Sequence, residues 1–263
     1  MKPRAAVFKF ASCDGCQLQF LNAQEELLKL AELADFVFFA EARSRALEGP
    51  YDIAFVEGSI TTPEDARRIL EVREQSRYLV TIGACATAGG IQALRNWSDI
   101  GEYVRAVYAR PEFLSTLSTS TPVSEHVRVD FEVHGCPVDK EQLLAVVRSL
   151  LSGARPVLPG HSVCMECKRR GNVCVTVARG EPCLGPVTRT GCGALCPSFH
   201  RGCYGCFGPA DDQNMQSFTQ LLAAQGVTGA DAVRRLRAIN GYVKPWREAG
   251  DALDAGKKQN HSR

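Results

Sequence analysis

Short apolar runs alternate with helix-spaced apolar positions along the first 150 residues of the chain. Residues 5–10 (AAVFKF), 35–40 (DFVFFA), 52–56 (DIAFV), 78–82 (YLVTI) and 127–133 (VRVDFEV) read as strands. Each is short, nearly continuous in apolar character and rich in β-branched or aromatic side chains. Residues 17–33 (QLQFLNAQEELLKLAEL) and about 139–151 repeat apolar residues at helical spacing, and Thr61-Thr62-Pro63-Glu64-Asp65 caps a helix reaching about residue 75. Alternation of this kind, with strands apolar on both sides, predicts a parallel sheet covered on both faces. Residues 1–155 are therefore read as α/β, a flavodoxin-like doubly wound parallel sheet.

In open sheets of this kind ligands bind outside the carboxyl ends of the strands. Three loops that each follow a strand carry cysteine: Ser12-Cys13-Asp14-Gly15-Cys16, the GACATAGG loop at 83–90, and His134-Gly135-Cys136-Pro137. Cys13, Cys16, Cys85 and Cys136 are thus expected at one edge. A lone cysteine in an apolar core is ordinarily a small buried hydrophobe, but four at one edge point to a ligand set. The loop at 83–90 lacks the Lys and Ser/Thr of a phosphate-binding loop and the spacing of a dinucleotide loop, so no nucleotide site is assigned.

The pattern changes at Arg155-Pro156-Val157-Leu158-Pro159-Gly160, whose prolines and glycine end the last helix. Residues 156–210 carry eight cysteines and few large apolar side chains, so a small cysteine-rich domain stapled by metal is expected. Residues 211–263 read as a C-terminal helical tail, with short helices near 212–225 and 229–238 and a polar end from 251 onward expected to fray.

Apolar residues make up 45% of the 263, and the formal net charge of +2 gives no reason to expect a nucleic-acid partner or an anionic membrane surface. No run approaches the roughly 18 apolar residues of a membrane span. The N-terminal residues show neither the apolar stretch of a secretion signal nor paired export arginines. A soluble, cytoplasmic chain with no membrane span is expected. Its twelve cysteines would then be reduced, and metal explains them better than disulfides.

Zinc and iron–sulfur clusters both take sets of four thiolates. A zinc arrangement pairs Cys164 and Cys167 with Cys203 and Cys206, and leaves Cys174, Cys183, Cys192 and Cys196 as an irregular second site. Consecutive sets, Cys164, Cys167, Cys174 and Cys183 and then Cys192, Cys196, Cys203 and Cys206, give each cluster its own loop. The Cys136-Pro137 and Cys196-Pro197 steps favour iron–sulfur, as do the many nearby glycines, which let N–H groups approach sulfur. Six basic residues (Lys168, Arg169, Arg170, Arg179, Arg189, Arg201) against two acidic (Glu166, Glu181) would compensate an anionic cluster, although such charges are ordinarily a solvated face.

Cys13-Asp14-Gly15-Cys16, Glu57-Gly58-Ser59, Gly83-Ala84-Cys85, Gly135-Cys136-Pro137, the PCLGPVTR run at 182–189 and the GCYGCFGP run at 202–209 together resemble the small subunit of [NiFe] hydrogenases. The resemblance spans roughly residues 5–210 and is closest to the cytosolic, NAD(P)-linked multimeric class, the sulfhydrogenases. It implies that Cys13, Cys16, Cys85 and Cys136 bind a proximal [4Fe-4S] cluster facing the Ni-Fe centre of the hydrogenase large subunit. Cys164, Cys167, Cys174 and Cys183 would bind the distal cluster, and Cys192, Cys196, Cys203 and Cys206 the medial one. Membrane-bound uptake enzymes have histidine where this chain has Cys164 and proline where it has Cys196. Three [4Fe-4S] clusters are therefore expected, with a lower distal potential. The cluster subunit of respiratory complex I is similar in fold, but it has adjacent cysteines at its first site and lacks the tail clusters.

By this resemblance the chain is the electron-transfer small subunit of an oxidoreductase acting on hydrogen. Its partners would be the large subunit, a flavin-containing diaphorase subunit carrying FAD and using NAD(P), and an iron–sulfur subunit. No residue of the chain itself is expected to be catalytic. Glu57, at a strand end near the proximal loop, is read as hydrogen-bonding cluster-side backbone or moving protons, with a plain turn carboxylate as the alternative. Other readings are an iron–sulfur subunit of a sulfur or polysulfide reductase and a zinc-stapled interaction module.

Overall fold

The structure, a computed structural model, describes residues 2–260. The chain divides into two compact units, Met1–Val157 and Leu158–Arg263. In the first, β1 (Arg4–Lys9), β2 (Asp35–Phe39), β3 (Tyr51–Glu57), β4 (Ser76–Ile82) and β5 (Phe131–Val133) form one parallel sheet in the order β2-β1-β3-β4-β5. This is the flavodoxin-like order, in which the winding reverses between β1 and β3. Lys9 of β1 pairs with Glu57 of β3, and Glu57 with Ile82 of β4, so the carboxyl ends of these three strands lie level.

Six helices belong to this unit: α1 (Gly15–Leu21), α2 (Glu25–Leu33), α3 (Pro63–Glu74), α4 (Gly83–Ala88), α5 (Ile100–Val107) and α6 (Lys140–Leu151). A 3-10 turn spans Ile91–Trp97. Alternate side chains of the strands reach opposite layers, as a pleated strand requires. Ala6, Phe8, Ala54, Val56 and Leu79 cluster with Ile69 and Val72 of α3. On the other side Phe55 meets Phe20 of α1 edge to face, with ring centroids 5.2 Å apart. The start of α3 is set by a capping box: the Thr62 hydroxyl accepts from Asp65 N and the Asp65 carboxylate accepts from Thr62 N, both at 3.0 Å.

Three local expectations are corrected. The single helix expected over 17–33 is two, with Gln24 at φ 47° in the break. The break lets α1 bury Cys16, Gln17 and Phe20 while α2 buries Leu30. The loop at 83–90 is largely the one-turn helix α4. The strand expected over 127–133 shrinks to Phe131–Val133 because the Asp130 carboxylate takes the Leu79 N–H at 2.9 Å, the donor a longer ladder would have used. Arg73 Nη1 fixes that carboxylate at 2.6 Å.

The second unit contains α7 (Val163–Arg169), α8 (Val175–Arg179), α9 (Leu195–Ser198), α10 (Met215–Ala224), α11 (Gly229–Leu236) and α12 (Lys244–Asn260). Division of this region at residue 210 is not what the packing gives. Leu184 and Val187, between cysteines, share one apolar cluster with Phe218, Leu222, Ala232, Leu236 and Trp246. Asn240 Nδ2 donates to the carbonyls of Gly205 and Cys206 at 2.8 and 3.1 Å, and Trp246 Nε1 donates to Gln213 at 2.8 Å. The expected fraying from 251 is likewise corrected as far as residue 260, where α12 ends; residues 261–263 lie outside the described residues. Arg237 holds α12 through Asp251 at 2.7 Å and Asp254 at 3.1 Å. Among the described residues no helix is long and apolar enough to cross a membrane.

Burial pushes the Asp130 carboxyl up, but the Leu79 N–H and the Arg73 guanidinium outweigh it and hold the group below the usual carboxylate range. A depressed folded value contributes stability above the ordinary carboxylate pKa and loses it as pH falls through the folded one. Asp130→Asn should therefore cost about 1–3 kcal/mol near neutrality, and the difference from wild type should shrink as the pH is lowered below about 4. Denaturant unfolding across that range checks it; a pH-independent difference would contradict the assignment.

Candidate metal centres

At the carboxyl edge of the first sheet, three strand ends deliver four sulfurs. Cys13 follows β1 and precedes Asp14, which takes a left-handed conformation (φ 66°) and starts α1 one residue later. Cys16 therefore falls in the first turn of α1, Cys85 in α4 just beyond β4, and Cys136 just beyond β5. The main chain is tight around them: a Cβ on Gly83, whose φ is +85°, would lie 2.3 Å from Cys16 Sγ. Only glycine allows α4 to start that close to Cys16.

The thiols of this set act on one another. Burial pushes the Cys16 thiol up, and Glu57, Cys85 and Cys136 add to the push. Burial also raises Cys85, to about 11, with Gln92 opposing and Cys136, Cys13 and Glu57 reinforcing. Cys136 is raised by burial and then by Cys13 and Glu57. Burial and mutual repulsion hold Cys16, Cys85 and Cys136 protonated unless a positive centre lies among them, and thiolate is the ligating form. That donor set fits an iron–sulfur cluster.

Glu57 is buried at 1% exposure at the end of β3. Its Oε1 accepts from Cys16 N at 3.0 Å and its Oε2 from Gln17 Nε2 at 2.9 Å. Burial raises its carboxyl, with the Gln17 and Cys16 donors pulling the other way. The carboxylate thus fixes the backbone that carries Cys16. Gln92, in the turn after α4, places Nε2 3.5 Å from Cys85 Sγ and 2.7 Å from the Ala11 carbonyl. Neither glutamine was singled out in the sequence. Gln17 carried one signal, a polar residue on the apolar side of an amphipathic helix; Gln92 carried none.

In the second unit Cys164, Cys167, Cys174 and Cys183 line a cavity of about 260 Å³ whose other walls include Val163, Val175 and Pro197. Burial raises Cys164 and Cys183, and each also feels Cys167 and Cys174. Cys183 Sγ accepts from Cys203 N at 3.2 Å and Gly185 N at 3.4 Å. Of the remaining four, Cys196 feels Cys192, while Cys203 feels both Cys183 and Cys206. Cys203 is buried, its thiol raised by that burial, and its sulfur accepts from Gly205 N at 3.4 Å. It stands beside both cysteine sets. Among the described residues, no group of three or more Cys, His, Asp and Glu side chains is placed to hold a single metal ion.

Residues 13–150 match the family of the NADH ubiquinone oxidoreductase 20 kDa subunit. The chain belongs to that family. The relatives that span nearly all of it are hydrogenase subunits. The sulfhydrogenase 2 subunit delta of Pyrococcus furiosus is 37% identical over 90% of this chain and 98% of its own. A chain of the F420-non-reducing hydrogenase vhu of Methanocaldococcus jannaschii is 30% identical over 92% of this chain and 95% of its own. A crystal structure of NAD+-reducing [NiFe]-hydrogenase in the H2-reduced state aligns with a TM-score of 0.56 at 30% identity, covering 60% of this chain and 96% of that one. The chain is accordingly a small subunit of a [NiFe] hydrogenase, an oxidoreductase. A large part of it has no counterpart in the NAD+-reducing structure, whereas the first two relatives extend over nearly the whole length.

Because a side chain on Gly83 would occupy the space of Cys16 Sγ and force a strained φ, Gly83→Ala should empty the first centre and spare the second unit. Iron per chain in anaerobically purified protein should fall by about four, the content of one cubane. Full iron content in that variant would contradict the placement.

Proposed function

We propose that this hydrogenase subunit is an electron relay. The observation that carries the proposal is the convergence of Cys13, Cys16, Cys85 and Cys136, from three separate loops, at the ligand-binding edge of a doubly wound sheet. These four residues would hold the proximal [4Fe-4S] cluster. Cys164, Cys167, Cys174 and Cys183 would hold the distal one, and Cys192, Cys196, Cys203 and Cys206 the medial one. The clusters, when bound, supply one-electron storage between the Ni-Fe centre of the large subunit and an acceptor module.

The chain's own residues do the holding. Backbone N–H groups of Gly185, Cys203 and Gly205 point at sulfur, which stabilises negative charge there. Glu57 ties the Cys16 backbone to the end of β3. Val163, Val175 and Pro197 give the 260 Å³ cavity around the second set an apolar lining. Hydrogen chemistry itself belongs to the large subunit, and no residue here is catalytic.

On the acceptor side, a flavin-containing diaphorase subunit with FAD and NAD(P), together with an iron–sulfur subunit, in the cytoplasm, is supported by the likeness to the NAD+-reducing enzyme. A second reading, sulfur or polysulfide reduction over the same relay, is favoured by the full-length match to a sulfhydrogenase subunit. Assays of one purified complex with NAD+, NADP+ and polysulfide as acceptors separate the two. A zinc-stapled module is separated from both by metal content: iron with equal acid-labile sulfide marks clusters, whereas zinc without sulfide marks the module.

Cys13→Ala should abolish hydrogen-dependent reduction of NAD(P)+ by the complex while the large subunit still assembles. Unchanged turnover in a complex that carries this variant would rule the relay out.

A further inference from the structure

Hydrogen bonds to sulfur occur at Cys85, Cys183 and Cys203, and Cys16 has one from the Val138 backbone. For Cys183 and Cys203 the donors are backbone N–H groups. For Cys85 the donor is a side chain, the Gln92 amide, with Nε2 3.5 Å from Sγ. We propose that Gln92 is a positioning residue that sets the reduction potential of the cluster bound by Cys13, Cys16, Cys85 and Cys136, raising it through an N–H···S bond to Cys85. This deepens the relay reading and rests on it.

The orientation of the amide is fixed by its other partner. Gln92 Nε2 donates to the Ala11 carbonyl at 2.7 Å; with the amide turned over, two carbonyl oxygens would face each other at that distance. Ala11 O is itself held by Ser59 N at 3.0 Å, and Ala11 N donates to Ser59 O at 3.2 Å. The –NH2 group therefore has one hydrogen committed to a rigid carbonyl and the second available to Cys85. Gln92 Oε1 lies 3.6 Å from the same sulfur, a contact that suits a protonated thiol. Ligation requires the thiolate, which only accepts, so the N–H is then the matching partner.

Room for this arrangement is made by Gly90. A Cβ there would stand 2.5 Å from Gln92 Oε1 and 2.7 Å from Cys85 Sγ, so any side chain would displace the amide from the sulfur. Gln92 is half-buried, which limits competition from water.

On reduction one electron enters the cluster, no bond to carbon forms or breaks, and negative charge on the sulfurs grows. A hydrogen bond to sulfur stabilises the more negative state, so the reduced form gains more than the oxidised form. Removing the donor should make the cluster harder to reduce, by about tenfold in the reduction equilibrium, or about 59 mV for one electron.

The test is a redox titration with dithionite and mediators, followed by electron paramagnetic resonance, on the assembled complex carrying Gln92→Leu or Gln92→Glu. The Glu variant keeps the shape and the carbonyl-side oxygen but replaces the donor with a negative charge. Expected are wild-type iron content, one midpoint lowered in both variants and further in Gln92→Glu, and the remaining midpoints unmoved. Unshifted midpoints in either iron-replete variant overturn the proposal. So does loss of the cluster from both variants, which would make Gln92 an anchor of the fold. A wild-type complex with no cluster signal sinks the relay reading itself, whereas unmoved midpoints in a complex with all its clusters sink only the role of Gln92.

Discussion

Four thiols drawn into one partly dry corner are the constraint on which the first unit is built. Burial alone pushes Cys16, Cys85 and Cys136 away from ionisation, and each makes the next harder to ionise. An uncompensated buried charge costs several kcal/mol, so the site is stable in its ligating form only with a positive centre among the sulfurs and N–H groups aimed at them. The surrounding structure serves that requirement. Gly83 and Gly90 remove the side chains that would displace sulfur, Glu57 ties down the Cys16 backbone, and the level strand ends bring loops far apart in sequence to one edge.

A different solution holds the second unit. Its cysteine-bearing loops have few large apolar residues of their own, and α10, α11 and α12 supply what is missing. Phe218, Leu222, Leu236 and Trp246 pack on Leu184 and Val187, which lie between Cys183 and Cys192. The Asn240 amide holds the carbonyls of Gly205 and Cys206 from the same side. Cysteine-bearing loops and helices therefore form one folding unit around a shared apolar core. The basic residues between Cys164 and Cys206 divide accordingly: Arg189 pairs with Asp211, while Arg201 stacks over Tyr204 at 5.7 Å.

Much of the site was legible because its signals are local. A cysteine directly after an apolar strand must sit at the carboxyl edge, and in a parallel sheet all such edges coincide, so grouping Cys13, Cys16, Cys85 and Cys136 required only strand positions. The same locality grouped Cys164, Cys167, Cys174 and Cys183, which the structure places around one cavity. Less was legible where a partner lies far along the chain. Gln17 meets Glu57 across 40 positions, and Asn240 meets Gly205 across 35.

The sequence by itself determined the strands of the parallel sheet, the cysteine loops at its ligand-binding edge and the cysteine-rich character of the second unit, since apolar period, turn residues and ligand spacing are properties of short segments. Tertiary structure alone decided three things. It packed the C-terminal helices on the cysteine loops, it turned Gln17 inward onto Glu57, and it laid the Gln92 amide against Cys85. Each depends on a contact between segments that no short window contains, because a polar side chain becomes a buried donor or acceptor only when the fold closes over it.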